Sequence, residues 1–340
     1  MKVALVRLSA IGDCTLVLPV VRALLRQNPE LELHWIIGKA AYQLLKNSTH
    51  PRLHYLAIDK PKSLSDYRAL KKQLSGIQFD ALLAMQASAR ANLTYPLINC
   101  PRKIGFDKTR ARDWQWLFTN EKIDFADEHL HDSFKRFAER LIQSKLEVSS
   151  EDWLITLSKE SVESIAELSL PEKYAVVNPA ASKLERCWSV DSYVQLIQRI
   201  GEQYQLPVVL TGGPDQLDRE LAEDIQQRTD VISCVGKTNL QQLGAILQKA
   251  DVCIAPDTGP AHIANGVGTP VIGLYAVAPS KLSGPYLNQA YTIDKFEQAV
   301  NQILGKSLDQ ISWRTRVHNR QAMDLIEVNE VMANIGSILK

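Results

Sequence analysis

The chain has 340 residues, a formal net charge of +1, 45% hydrophobic residues and 23% charged residues. That length favours two domains over a single core, and a near-zero net charge argues against a molecule built to bind nucleic acid. No apolar run approaches the roughly 20 residues that span a bilayer. The five cysteines are scattered, with no CxxC pair, so neither a zinc site nor a disulfide framework is indicated and a reducing cytoplasm is the expected setting.

In chain order, MKVALVRLSAIGD turns polar too quickly for a secretory signal, and residues 3–8 read as a buried strand. A helix is predicted at 16–27, with Leu18, Val21, Leu24 and Leu25 on one side. Strands at 33–37, 55–58 and 81–85 alternate with helices at 40–46 and 67–74. Such alternation predicts a parallel sheet covered by helices on both faces. The pattern degrades between 87 and 120, and a helix returns at 128–145. The polar stretch 148–160 is the expected junction. Strands at 174–178, 208–211, 231–234, 252–255 and 271–274 then alternate with helices at 190–204, 217–228, 240–249 and 261–267. An amphipathic helix at about 327–339 closes the chain. The expected fold is α/β, with two Rossmann-like, doubly wound domains (1–155 and 156–340) facing a central cleft. The last helix has the option of packing back on the first domain.

Four strand-to-helix turns carry the chemistry, because ligands of open parallel sheets bind at the carboxyl ends of strands. In DTGPAH, an Asp-Thr pair suited to capping precedes Gly259 and Pro260, and a helix start there offers free N–H groups to a phosphate. His262 would add a donor to the same anion. Asn178-Pro-Ala-Ala-Ser182 follows another strand, with Lys183, Glu185, Arg186 and Trp188 after it; a hydroxyl and a cation at a strand end suit a diphosphate. Gly212-Gly213 allows close backbone approach, and Asp215 or Asp218 would reach a ribose hydroxyl. Asp13 follows the first strand. It reads either as a helix cap or as a general base that takes a proton from an acceptor hydroxyl. No GxGxxG follows the first strand and no Walker A loop occurs anywhere.

Between 90 and 112 lie Arg90, Arg102, Lys103, Lys108, Arg110 and Arg112, followed by Trp114, Trp116 and Phe118. Cations interleaved with aromatics suit an anionic ligand or a phosphorylated glycolipid, and a solvated positive face is the plain alternative. His129 and His131 lack the partners of a metal site, and His131 is a candidate substrate contact.

Taken together, RLSAIGD, NPAAS…RCW, VVLTGGP, CVGKTNLQQLGAIL, DTGPAHIANGVGTPVIGLY and AMDLIEVNEVM resemble the bacterial lipopolysaccharide heptosyltransferases, glycosyltransferase family 9, of the GT-B fold. The resemblance runs nearly end to end. It implies an inverting transfer of heptose from ADP-heptose to the Kdo/heptose inner core of lipopolysaccharide. Asp13 would be the base. Ser182, Arg186, Asp257, Thr258, Gly259 and His262 would hold the donor, and Arg90, Lys108, Arg110, Arg112 and His131 the acceptor. No metal or other cofactor is expected. The partners implied are the nucleotide sugar, the lipopolysaccharide acceptor and, peripherally, the cytoplasmic face of the inner membrane. The family commonly shows Lys-Arg-Trp or Lys-x-Trp where this chain has Arg186-Cys187-Trp188, and the Glu expected after the Gly-Gly turn has no clear equivalent. The competing readings are another sugar-nucleotide enzyme of GT-B fold, such as an epimerase, and a non-catalytic glycolipid-binding homologue.

Overall fold

The computed structural model describes all 340 residues and divides into two compact units, Met1–Thr156 and Leu157–Lys340. The division falls inside the polar stretch where the sequence places the junction.

The first unit holds strands β1 (Lys2–Arg7), β2 (Glu32–Gly38), β3 (Leu53–Ile58), β4 (Ala81–Leu83), β5 (Arg102–Gly105) and β6 (Glu121–Lys122). Its helices are α1 (Ile11–Gln27), α2 (Lys39–Leu45), α3 (Leu64–Leu74), α4 (Ala89–Asn92) and α5 (Leu130–Ile142). The six strands form one parallel sheet in the order β3-β2-β1-β4-β5-β6. β1 sits inside that sheet and is buried from Val3 to Arg7, as its near-continuous apolar run requires. One face of the sheet (Ala4, Val6, Ile36, Leu82) packs with Leu70 and Leu74 of α3 and with Tyr95. On the other face Arg7 lies against Phe134 of α5. Residues 87–120, where periodicity fails, contain α4 and β5. β6 follows at once. β5 and β6 have four and two residues, too short to show alternation.

The second unit repeats the plan with β7 (Ala175–Val177), β8 (Val208–Leu210), β9 (Ile232–Ser233), β10 (Val252–Pro256), β11 (Val271–Tyr275) and β12 (Ile293–Asp294). Its helices are α6 (Lys159–Ser164), α7 (Val190–Tyr204), α8 (Gln216–Gln226), α9 (Leu240–Lys249), α10 (Gly259–Val267), α11 (Ser280–Ser283), α12 (Phe296–Leu304) and α13 (Val328–Ile338). The sheet is again parallel, in the order β12-β11-β10-β7-β8-β9. Both units are therefore doubly wound α/β sheets, the pair of folds that defines GT-B. β12 and α12 fall in a region where the sequence reading placed no element. α13 places Val331, Met332 and Ile335 in the second unit's core with Trp188, Leu196 and Ile200.

Candidate active site

The turn after β1 is held by a side chain just beyond β4 and by the close approach of the end of β2. The Gln86 side-chain oxygen, just beyond β4, accepts hydrogen bonds from the Leu8 N–H (2.7 Å) and the Ser9 N–H (3.2 Å). Gly38, at the end of β2, lies so close that a Cβ there would collide with the Leu8 carbonyl oxygen. Asp13 is the third residue of α1. Its Oδ2 accepts the Ala10 N–H at 2.9 Å and forms a short ion pair with Arg7 Nη2. Capping and placement at a strand end are thus both properties of Asp13, and the carboxylate favours the positive end of α1. Its side chain keeps 25% of its surface exposed against 11% for Arg7. Arg7 in turn donates to the Met85 carbonyl (2.7 Å) and stacks over the Phe134 ring, 5.2 Å from its centroid.

Beside Ser9 a pocket of about 340 Å³ opens, lined by Leu8, Ser9, Lys60, Gln86, Ser88 and Arg90. Two cations and several hydroxyl or amide groups make it suited to an anionic, oxygen-rich ligand. Of the five residues assigned to the acceptor, this pocket contains Arg90. Arg112 is exposed and sits near α4, because Asn92 Nδ2 binds the carbonyls of Arg112 (2.9 Å) and Asp113 (2.7 Å). Lys108 is exposed on the same loop.

Arg110 and His131 do not fit their assignment. The Arg110 side chain is 9% exposed and is consumed by Asp107 (2.5 Å), Ser133 Oγ (2.6 Å), the Asp124 carbonyl (2.7 Å) and Glu128 (3.2 Å). That pairing holds the Asp107 carboxyl below its usual range even though burial pushes the other way. Arg110 therefore pins its loop to α5. His131 is 2% exposed, with Nδ1 3.0 Å from the Leu16 carbonyl and its ring 4.4 Å from that of Trp153. It joins α5 to α1. His129 caps α5, accepting the His131 N–H at 3.0 Å.

In the second unit, two turns predicted to bind the donor come together. Arg186, ending the short helical turn Leu184–Arg186, donates from Nη1 to Asp257 Oδ2 at 3.2 Å. Its Nε is buried without a hydrogen-bond partner. Cys187 next to it is buried, and its sulfur accepts the Ala181 N–H at 3.2 Å, which folds the NPAAS loop back on itself. Trp188 is fully buried and donates to the Ile326 carbonyl at 3.1 Å, so it anchors the segment that carries Arg186. Ser182 is exposed on that loop. Thr258 takes the N-cap position of α10 without capping it through its side chain, and Pro260 has no N–H, so the first-turn donors are Gly259 and Ala261. His262 is buried within the same first turns of α10. Asp218 is not a simple ribose ligand. It accepts the Gly213 N–H at 2.7 Å and shapes the Gly-Gly turn, and burial raises its carboxyl above the usual range. Asp215 stands exposed at the N-cap of α8.

Arg7, Lys60 and Gln86 were not singled out from the sequence. Arg7 had a signal: a lone cation ending a buried strand, on the same face as Val3 and Leu5. Lys60 and Gln86 reach the turn only through strand register.

The profile of glycosyltransferase family 9 (heptosyltransferase) matches residues 67–308. The lipopolysaccharide core heptosyltransferase OpsX of Haemophilus influenzae is 33% identical over 341 aligned residues, covering 99% of this chain and 96% of that one. Among solved structures, a family 9 glycosyl transferase from Veillonella parvula superposes with a TM-score of 0.80 at 18% identity, covering 99% of this chain and 97% of the other. The ADP-heptose lipopolysaccharide heptosyltransferase II of Escherichia coli superposes with a TM-score of 0.74 at 17% identity, covering 100% and 98%. On the profile match over residues 67–308 and the 33% identity across nearly the whole chain, the chain belongs to glycosyltransferase family 9, the heptosyltransferases.

Proposed function

We propose that the enzyme moves heptose from ADP-heptose to the inner core of lipopolysaccharide, with inversion at the anomeric carbon. The observation that supports this most is the 33% identity, over 99% of the chain, to a lipopolysaccharide core heptosyltransferase. The second unit holds the donor in this reading. The diphosphate takes Arg186 from Asp257 and accepts N–H bonds from Gly259 and Ala261 at the start of α10, with Ser182, Thr258 and His262 around it. The first unit holds the acceptor, whose acidic sugar or phosphate groups meet Lys60 and Arg90, with Lys108 and Arg112 further out. Asp13 takes the proton of the acceptor hydroxyl. That oxygen bonds to the anomeric carbon as the bond to the diphosphate breaks, and ADP leaves with the electron pair. Arg186 and the α10 amides stabilise the departing charge. Arg7 is a positioning residue that fixes the Asp13 carboxylate. No resident metal is assigned to this chemistry. The acceptor lies in a membrane, and the reading includes peripheral contact through the exposed Trp114, Trp116 and Leu117, which vesicle binding tests.

The experiment is ADP release from ADP-heptose, with and without a Kdo-lipid A acceptor. Asp13→Ala should lose roughly 10²–10⁴-fold in kcat, the range of general-base catalysis, and keep ADP affinity. Lys60→Ala combined with Arg90→Ala should raise the acceptor KM with ADP affinity again unchanged. Turnover of Asp13→Ala at the wild-type rate removes the base assignment. Absence of ADP release from the wild type removes the donor or acceptor assignment.

A further inference from the structure

The first sheet carries a second cluster of chemically competent side chains, at the end opposite Asp13. Glu32 and His34 are two residues apart on β2, so strand alternation puts them on one face. His54 is the in-register neighbour of His34 on β3, the edge strand of the sheet. Parallel neighbours in register point the same way, and the two imidazole rings lie 4.7 Å apart between centroids. Both Nε2 atoms stand 3.0 Å from Glu32 Oε1. One ligand atom from each of the three residues lies within 4.8 Å of the others.

We propose that Glu32, His34 and His54 form a binding site for a divalent transition-metal ion of the zinc class. Two imidazole nitrogens and one carboxylate oxygen are a donor set that suits Zn²⁺, Co²⁺ or Ni²⁺ rather than Mg²⁺ or Ca²⁺. In tetrahedral zinc coordination the ligand atoms stand about 3.3 Å apart, given metal–ligand lengths of about 2.0–2.1 Å. The 3.0 Å separations of both nitrogens from the carboxylate oxygen are already close to that. The second carboxylate oxygen faces Lys2, whose Nζ is 3.8 Å away, so the cation and the imidazoles address different oxygens of Glu32. His34 is seated edge-on against Phe79 with ring centroids 5.3 Å apart, which fixes the orientation of one ligand before any ion arrives. His54 is the more exposed of the two, its side chain 46% accessible, and gives an entry path. No local sequence motif announces the site: its members become neighbours only through the β2–β3 register. Its position at the amino ends of the strands makes it a clip for the edge strand, separate from transfer chemistry at the carboxyl ends.

The test uses the untagged full chain, stripped with a chelator and titrated with Co²⁺ by visible absorption and with Zn²⁺ by calorimetry. One Co²⁺ should bind per chain, with the d–d bands of low-coordinate nitrogen and oxygen ligation, and Zn²⁺ should displace it. His54→Gln and Glu32→Gln should each weaken Zn²⁺ binding by roughly tenfold or more, and His54→Gln should leave ADP release unchanged. His54→Gln alters an exposed edge position, so folding is secure, and an unchanged far-ultraviolet circular dichroism spectrum would establish it. Two results overturn the proposal: no stoichiometric binding to the wild type, or His54→Gln binding as tightly as wild type, which would move the ion to other side chains.

Discussion

At the scale of single residues, burial separates side chains of similar chemistry. Asp13, Arg186 and Asp257 are recognisable from sequence because each lies in the segment that leaves the carboxyl end of a buried strand, where the fold places ligands. Arg110 and His131 sit among equally suggestive neighbours, yet they are packed inside, and no local pattern distinguishes a cation that faces a ligand from one that faces Asp107 and Glu128. His131 makes the distinction measurable. Burial lowers its pKa below the ordinary 6.5, against the opposing pull of the Leu16 carbonyl. The sign follows from linkage. Above the unfolded value His131 is neutral in both states and its full contribution is present. As pH falls below about 6.5, the unfolded chain takes up a proton that the folded chain resists, and stability drops by up to about 1.4 kcal/mol per pH unit until the folded value is reached. His131→Asn keeps a donor for the Leu16 carbonyl and removes the titration. Urea unfolding at pH 7.5 and 5.5 should show wild type losing more stability than this variant over that interval, with acceptor KM unaffected at neutral pH. Equal losses in the two proteins, or a raised KM, would return His131 to the acceptor site.

At the scale of elements, the long apolar strands and amphipathic helices were legible, and so was the alternation that specifies two parallel sheets. Three short strands were not. β5, β6 and β12 have two to four residues, and their pairing depends on the neighbouring strand, so no periodicity marks them. The geometry of the Asp13 turn was equally hidden, since it rests on contacts between β1, β2 and β4 that adjacency in sequence does not show. Gly38 is the clearest instance. It closes β2 with ordinary extended φ, so its value is space rather than conformational freedom. Gly38→Ala would drive a methyl into the Leu8 carbonyl oxygen, a backbone atom with no rotamer by which to escape. The strand ends must part, and overpacking of this kind costs about 1–3 kcal/mol. The displaced Leu8–Ser9 segment also loosens its bonds to Gln86. Gly38→Ala should therefore lower both the unfolding midpoint and kcat, with ADP affinity retained because the proposed donor turns belong to the other unit. Full activity at an unchanged midpoint would show that the turn tolerates the displacement.

At the scale of the whole molecule, no helix is long and apolar enough to cross a membrane, and the net charge of +1 gives no global attraction to an anionic surface. On the proposed function, contact with a membrane-borne acceptor is local. Trp114, Trp116 and Leu117 expose 70%, 53% and 60% of their surfaces within four consecutive residues, beside the exposed Arg112 and Lys108. Large apolar groups rarely stay this exposed in sequence without a partner, and indole rings favour the boundary between headgroups and acyl chains. Each nearby cation adds about 1 kcal/mol at an anionic surface and is screened by salt. A patch of three apolar side chains and two cations predicts reversible binding. In flotation with vesicles containing anionic phospholipid, the wild-type chain should partition measurably at low salt and lose part of that binding as salt rises. Trp114→Ala combined with Trp116→Ala should weaken partition by roughly tenfold or more, since burying even part of two indoles contributes several kcal/mol at about 25 cal/mol per Å². ADP release with a soluble acceptor analogue should be unaffected by the same pair. If the double variant floats as well as the wild type, the aromatic segment is not the membrane contact. If the wild type fails to float at low salt, the proposed peripheral membrane contact is overturned.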